Sequence, residues 1–117
     1  MDLVACLSTG KGTWGHVARL IEEGKFEHVF LITNEFGKEN FKKDEKTQLI
    51  DVNMNMGINE LRDEIQNQLK DKLTGIEVAI NIVSGAGKEH MAIISAVMRL
   101  GLGIKLMALT KNGVEEI

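Results

Sequence analysis

The stretch 77–101, EVAINIVSGAGKEHMAIISAVMRLG, constrains this chain more than any other. It opens on a short apolar run, residues 78–83, rich in β-branched side chains and too brief for an ordinary helix, so it reads as a buried strand. Ser84, Gly85, Ala86 and Gly87 then turn the backbone sharply, and two glycines let it come close to a ligand. From Lys88 the spacing becomes helical, with Met91, Ile94, Val97 and Met98 expected on the inward face and Gly101 as the stop. A strand, a small-residue turn and a helix start form an anion site. The first-turn N–H groups lack partners, the helix dipole is positive there, and Lys88 adds a full charge. Tight strand-to-helix turns also carry Gly and Ser for geometry alone and bind nothing, so the turn by itself leaves both readings open. It is not a P-loop, because Ile82 stands where the first glycine is needed and Glu89 replaces the magnesium-binding hydroxyl. It also lacks the third glycine of the dinucleotide fingerprint.

A chain of 117 residues makes one domain, 1–117, with room for a real core. Its 44% apolar and 26% charged residues are ordinary for a soluble globular protein. There is no apolar run long enough to span a bilayer and no basic-then-apolar leader pattern, so no membrane partner and a cytoplasmic location are expected. Cys6 is alone, which excludes an intramolecular disulfide and a thiolate metal site; as a small apolar-strand residue it is read as core rather than as a nucleophile. His16, His28 and His90 have no metal-binding spacing, and neither a metal nor another cofactor is expected. The net charge of −3 argues against general binding to duplex DNA or RNA, while leaving a small anion in a local basic pocket open.

In order, residues 2–7 read as a first strand, followed by the polar loop Ser8, Thr9, Gly10, Lys11, Gly12 and Thr13. Thr13 is the expected cap of a helix over 14–23 that ends at Gly24. Strands follow at 28–33 and 47–52, separated by a charged segment in which Phe36 and Phe41 pin a short helix or loop to the body. The spacing of Ile58, Leu61, Ile65, Leu69 and Leu73 predicts a helix over 58–73, with Gly75 as its stop. After the central unit comes a strand over 104–110, and Asn112-Gly113 signals a type I′ turn into an antiparallel edge at 114–117.

Alternating strands and helices imply an α/β fold: a Rossmann-like, mostly parallel sheet, helices on both faces, and a C-terminal antiparallel hairpin. Ligands bind such sheets beyond the carboxyl ends of the strands, where strand order reverses. The loops at 8–13, 33–36 and 84–88 are expected on that rim, with 53–57 as a fourth. Lys11 and Lys88, one on each Gly-rich loop, favour an anionic ligand. His16 and His90 begin helices beside these loops and are either acid–base groups or simply hydrogen-bonded helix residues. Trp14 either stacks on a base or packs beneath the first helix. Met54 and Met56 mark a pliable contact surface or a dimer seam.

The run from Asn81 through Ser84, Gly85, Gly87 and Lys88 to an early helical Met91 resembles the signature of CARF domains, the CRISPR-associated Rossmann-like sensors. The resemblance covers nearly the whole order of elements, including the polar loop after the first strand and the closing hairpin. The chain departs from it at Ala86-Gly87, where Gly-Thr is usual, and by one extra residue before Met91. The resemblance implies a homodimer that binds cyclic tetra- or hexa-adenylate across its two-fold axis and, in the ring nucleases, cleaves it without metal. It implies catalytic roles for Lys88 and Ser8. The implied ligand contacts are Thr9, Gly10 and Lys11 on the first loop, Thr33 and Asn34 at ribose or base, and Ser84, Gly85, Gly87 and His90 at the elbow. The ribose 2′-OH would attack the neighbouring phosphate to leave a 2′,3′-cyclic phosphate. The alternatives are a sensor that binds without cutting and a Rossmann-like protein acting on another phosphorylated small molecule.

Overall fold

The computed structural model describes residues 1–7 and 11–117, with the side chain of Lys11 outside the description. Its elements are β1 (Asp2–Leu7), a 3-10 turn (Lys11–Thr13), α1 (Trp14–Glu23), β2 (Val29–Thr33), α2 (Glu35–Asn40), β3 (Thr47–Asp51), α3 (Ile58–Leu69), β4 (Glu77–Asn81), α4 (Gly87–Arg99), β5 (Gly103–Thr110) and β6 (Gly113–Glu116). The strands form one sheet in the order β3-β2-β1-β4-β5-β6. All neighbours are parallel except the last pair, in which Met107 faces Glu116 and Leu109 faces Val114. The fold is therefore α/β and Rossmann-like, with a C-terminal antiparallel hairpin.

Both faces of the inner strands are covered, which is why β1, β2 and β4 read as unbroken apolar runs. Val4, Cys6, Phe30, Ile32 and Ile80 point towards α3 and α4, which add Leu61, Ile65, Leu69, Ile93 and Val97. Leu3, Ala5, Leu7, Leu31 and Ala79 point the other way, onto Val17, Leu20 and Ile21 of α1. The buried Asp2 carboxylate accepts hydrogen bonds from the Thr74 N–H and hydroxyl, and lies 3.0 Å from Nδ1 of His28. This ties the starts of β1 and β2 to the chain leading into β4.

The structure corrects several local expectations. Helix α4 turns Met91 and Met98 outward, 66% and 64% exposed, and packs Ala92, Ile93, Ala96 and Val97 instead. The small alanines let α4 sit close to the sheet and α3, and the longer methionines have no room there. Helix α3 stops at Leu69, four residues early, because Asp2 captures Thr74 and draws the chain out of the helix. Strand β4 ends at Asn81 because the Asn81 side chain accepts the Val83 N–H at 3.3 Å and curls the backbone over itself. Thr13 stands at the N-cap of α1 but its side chain makes no capping bond, since the 3-10 turn already supplies the entry. The hairpin is not a type I′ turn: no residue other than glycine has positive φ among the described residues. Instead Gly113, at φ +104°, takes the left-handed position after Lys111 and Asn112.

Candidate functional site

Strand order reverses between β1 and β4, where Ala5 pairs with Asn81. The chain leaves β1 towards α1 on one face and leaves β4 towards α4 on the other, so a crevice opens between the two exits. Ser8, Thr9 and Gly10, which line the β1 exit in sequence, lie outside the described residues, as does the side chain of Lys11.

Asn81 is the hub of the crevice floor. It is buried, and its Nδ2 donates to the Met107 carbonyl at 2.8 Å and approaches Nε2 of His16 at 3.2 Å. The Leu109 N–H also points at His16 Nε2, at 3.4 Å. Two donors on one ring nitrogen make Nε2 an acceptor and place a ring proton on Nδ1 of His16. His90 is in the opposite state: its Nε2 lies 2.8 Å from the Ser84 carbonyl, which only accepts, so Nε2 carries a proton. The signal for Asn81 was visible in sequence as a lone amide within an apolar strand.

The elbow at 82–86 rests on β1. Gly85 has φ +104°, and a Cβ built there would lie 2.6 Å from Sγ of Cys6 and 3.0 Å from His90 Nε2. Only glycine fits this position. Beneath it, burial pushes the Cys6 thiol up from 9.0 to about 12; the nearby Glu89 carboxylate adds to the rise and a backbone hydrogen bond at Leu7 opposes it. A thiol in that state is no nucleophile at neutral pH. We expect no alkylation by iodoacetamide in the folded chain at pH 8 and complete reaction in guanidinium, read by intact mass. Because the folded thiol holds its proton above the unfolded value, this term is fully present below pH 9 and is lost as pH rises from 9 towards 12. Stability should fall across that window, and Cys6→Ala should flatten the fall.

Glu89, which the sequence reading did not single out, accepts the Ala86 N–H at 2.7 Å. Its buried carboxylate thus sits at the positive end of α4, as in half of a capping box. Gly87 is the first residue of α4, and among the described residues no atom lies within 4 Å of a Cβ built there. Lys88 is partly buried and donates to the Met56 carbonyl at 2.7 Å, reaching the loop that leads into α3. An ammonium has three N–H donors, so this bond leaves two for a ligand. The elbow therefore pairs one carboxylate facing the helix start with one cation braced across the rim.

Thr33 is fully buried, and its hydroxyl donates to the Leu7 carbonyl at 2.7 Å, sealing β1 to β2. Asn34 caps α2 by accepting the Gly37 N–H at 3.0 Å. Trp14 packs with Phe36 and Phe41, each 5.8 Å away between ring centres, and joins α1 to α2. The structure thus gathers Ser84, Gly85, Gly87, Lys88 and His90 at one elbow, and places Thr33 and Asn34 two strands away on the same rim.

No helix among the described residues is long and apolar enough to cross a membrane. No protein-family model matches this chain, and no curated protein matches it.

Proposed function

We propose that this chain binds cyclic oligoadenylate on the carboxyl rim of its sheet, as a homodimer, with Lys88 contacting a ligand phosphate. The observation that carries the reading is the reversal of strand order between β1 and β4, which sets the end of β1 at Leu7 beside the strand that leads into the Ser84-to-Lys88 elbow. The CARF-like order of elements and the Asn81-to-Met91 signature support the choice of ligand. The dimer is supported by the outward stripe of α4, where Met91, Ile94 and Met98 border an open cavity of about 430 Å³. Met91 lies about one helical turn beyond Gly87, so this apolar stripe is continuous with the elbow.

Metal-free cleavage is the further step of the same reading. The 2′-oxygen bonds to the adjacent phosphorus as the bond to the 5′-oxygen breaks, while the protein positions the two oxygens in line. The 2′-OH proton passes to water and the 5′-oxygen takes one up from water. Lys88 stabilises the developing charge through the two N–H donors that its bond to the Met56 carbonyl leaves. The bond to Met56 and the negative charge of Glu89 equally favour a second reading, a sensor that binds the ring and leaves it whole.

Incubation with cyclic tetra- and hexa-adenylate in EDTA separates these. The expected result is linear product ending in 2′,3′-cyclic phosphate, with the rate lowered about 100-fold or more in Lys88→Ala. Tight binding without product selects the sensor. Failure to bind either ring would overturn the proposal.

A further inference from the structure

At the opposite end of the sheet, where β1 and β2 begin, the His28 carbonyl accepts the Leu3 N–H at 2.9 Å, which fixes His28 beside β1. Its ring reaches Oδ1 of Asp2 through Nδ1 at 3.0 Å, and Oδ2 of Asp2 is held by the N–H and hydroxyl of Thr74. The Asp2 side chain is fully buried, whereas that of His28 is 53% exposed. A carboxylate only accepts, so Nδ1 carries a proton, and the neutral ring keeps its lone pair on Nε2. Among the described residues Nε2 of His28 has no partner. The other two histidines differ. Nε2 of His16 accepts from Asn81 and Leu109, and Nε2 of His90 is held by the Ser84 carbonyl.

We propose that His28 is a phosphoryl-acceptor site, taking the phosphoryl group of a small acyl phosphate on Nε2. The inference is independent of the ligand proposed for the rim. An imidazole with one nitrogen tied to a buried carboxylate and the other free is oriented for attack. Nε2 bonds to phosphorus as the bond from phosphorus to the acyl oxygen breaks, and the carboxylate leaves with the electron pair. No proton has to leave Nε2. The ring gains a positive charge, and the Asp2 carboxylate already faces that charge across the Nδ1 proton.

His28 borders a cavity of about 320 Å³, room for a small phosphorylated molecule, with Phe30, Glu45, Gln48 and Lys72 around it. The Lys72 side chain makes no hydrogen bond or ion pair among the described residues, so its ammonium is available to a phosphoryl oxygen. Lys46 lines the same cavity but directs its ammonium to the Ile21 carbonyl at 3.0 Å. Glu45 sets a negative charge against that of Lys72, so a free anion is held weakly there and the covalent bond retains the group. Among the described residues no three side chains of His, Cys, Asp or Glu gather as a metal site, so the Nε2 lone pair has no metal to bind.

The test labels the whole chain with acetyl phosphate at pH 8, read by intact mass and by mapping the modified residue under alkaline conditions. His28 should take up a phosphoryl group about tenfold or more faster than His16 or His90. The same labelling of the chain unfolded in guanidinium separates activation from mere exposure. Folded His28 should react about tenfold or more faster than unfolded His28, and Asp2→Asn should remove that advantage in a chain whose thermal melt shows it folded. Lys72→Gln, which leaves the Asp2 bonds in place, should slow the folded reaction severalfold. No phosphoryl group on His28, equal labelling of His16 or His90, or a folded rate no higher than the unfolded one would overturn the assignment.

Discussion

Gly85→Ala is expected to destabilise the protein by about 3 kcal/mol or more, from two separable costs. A left-handed backbone at φ +104° costs a non-glycine residue about 1–3 kcal/mol. The added methyl would also press on Cys6 Sγ at 2.6 Å, and Cys6 is a fully buried residue of β1 that cannot retreat. Overpacking of that kind costs about 1–3 kcal/mol. A double-mutant cycle with Cys6→Gly isolates the steric part, because removing the sulfur makes room for the methyl but leaves the backbone strain. Urea unfolding of the four chains should show a coupling of about 1 kcal/mol or more in favour of the double variant. Additive losses would mean that the elbow does not rest on Cys6.

Asn81→Asp should have an effect of similar size, and one that depends on pH. The substitution keeps the shape and replaces a donor with an acceptor. The new oxygen would face the Met107 carbonyl at 2.8 Å and the lone pair of His16 Nε2 at 3.2 Å. Leaving these buried acceptors unpaired beside a new charge costs about 3 kcal/mol or more at pH 8. Proton uptake at the new carboxyl group relieves it, because a protonated carboxyl can again donate. The folded variant therefore binds more protons than its unfolded form, and its deficit should shrink as pH falls from 8 to 5. Chemical unfolding of both chains at the two pH values measures this. A deficit independent of pH would contradict the donor role assigned to the Asn81 side chain.

The architecture was legible because each buried strand is a short apolar run and each helix carries its own stripe. Residues 2–7 and the core of α3 at Leu61, Ile65 and Leu69 needed no tertiary information. The inward face of α4 did, because two stripes compete along it. Met91 and Met98 are the more hydrophobic pair, yet Ala92 and Ala96 allow the close approach that packing rewards. The early end of α3 was hidden because its cause, Asp2, lies 72 residues away in sequence. At the site, glycine spacing marked the elbow. Spacing could not reveal that Lys88 reaches across to Met56, or that Glu89 turns back to Ala86. Nor could spacing show that Glu35 and Asp51 line one cavity. Glu35 and Asp51 belong to different segments, and only the β2–β3 pairing brings them to one cavity.

Native mass spectrometry with cyclic tetra- and hexa-adenylate tests the central claim most directly, since it reads ligand and assembly together. The account predicts a complex of two chains with one ring, weakened in Lys88→Ala. A ring bound to each single chain, or no bound ring at all, would contradict it.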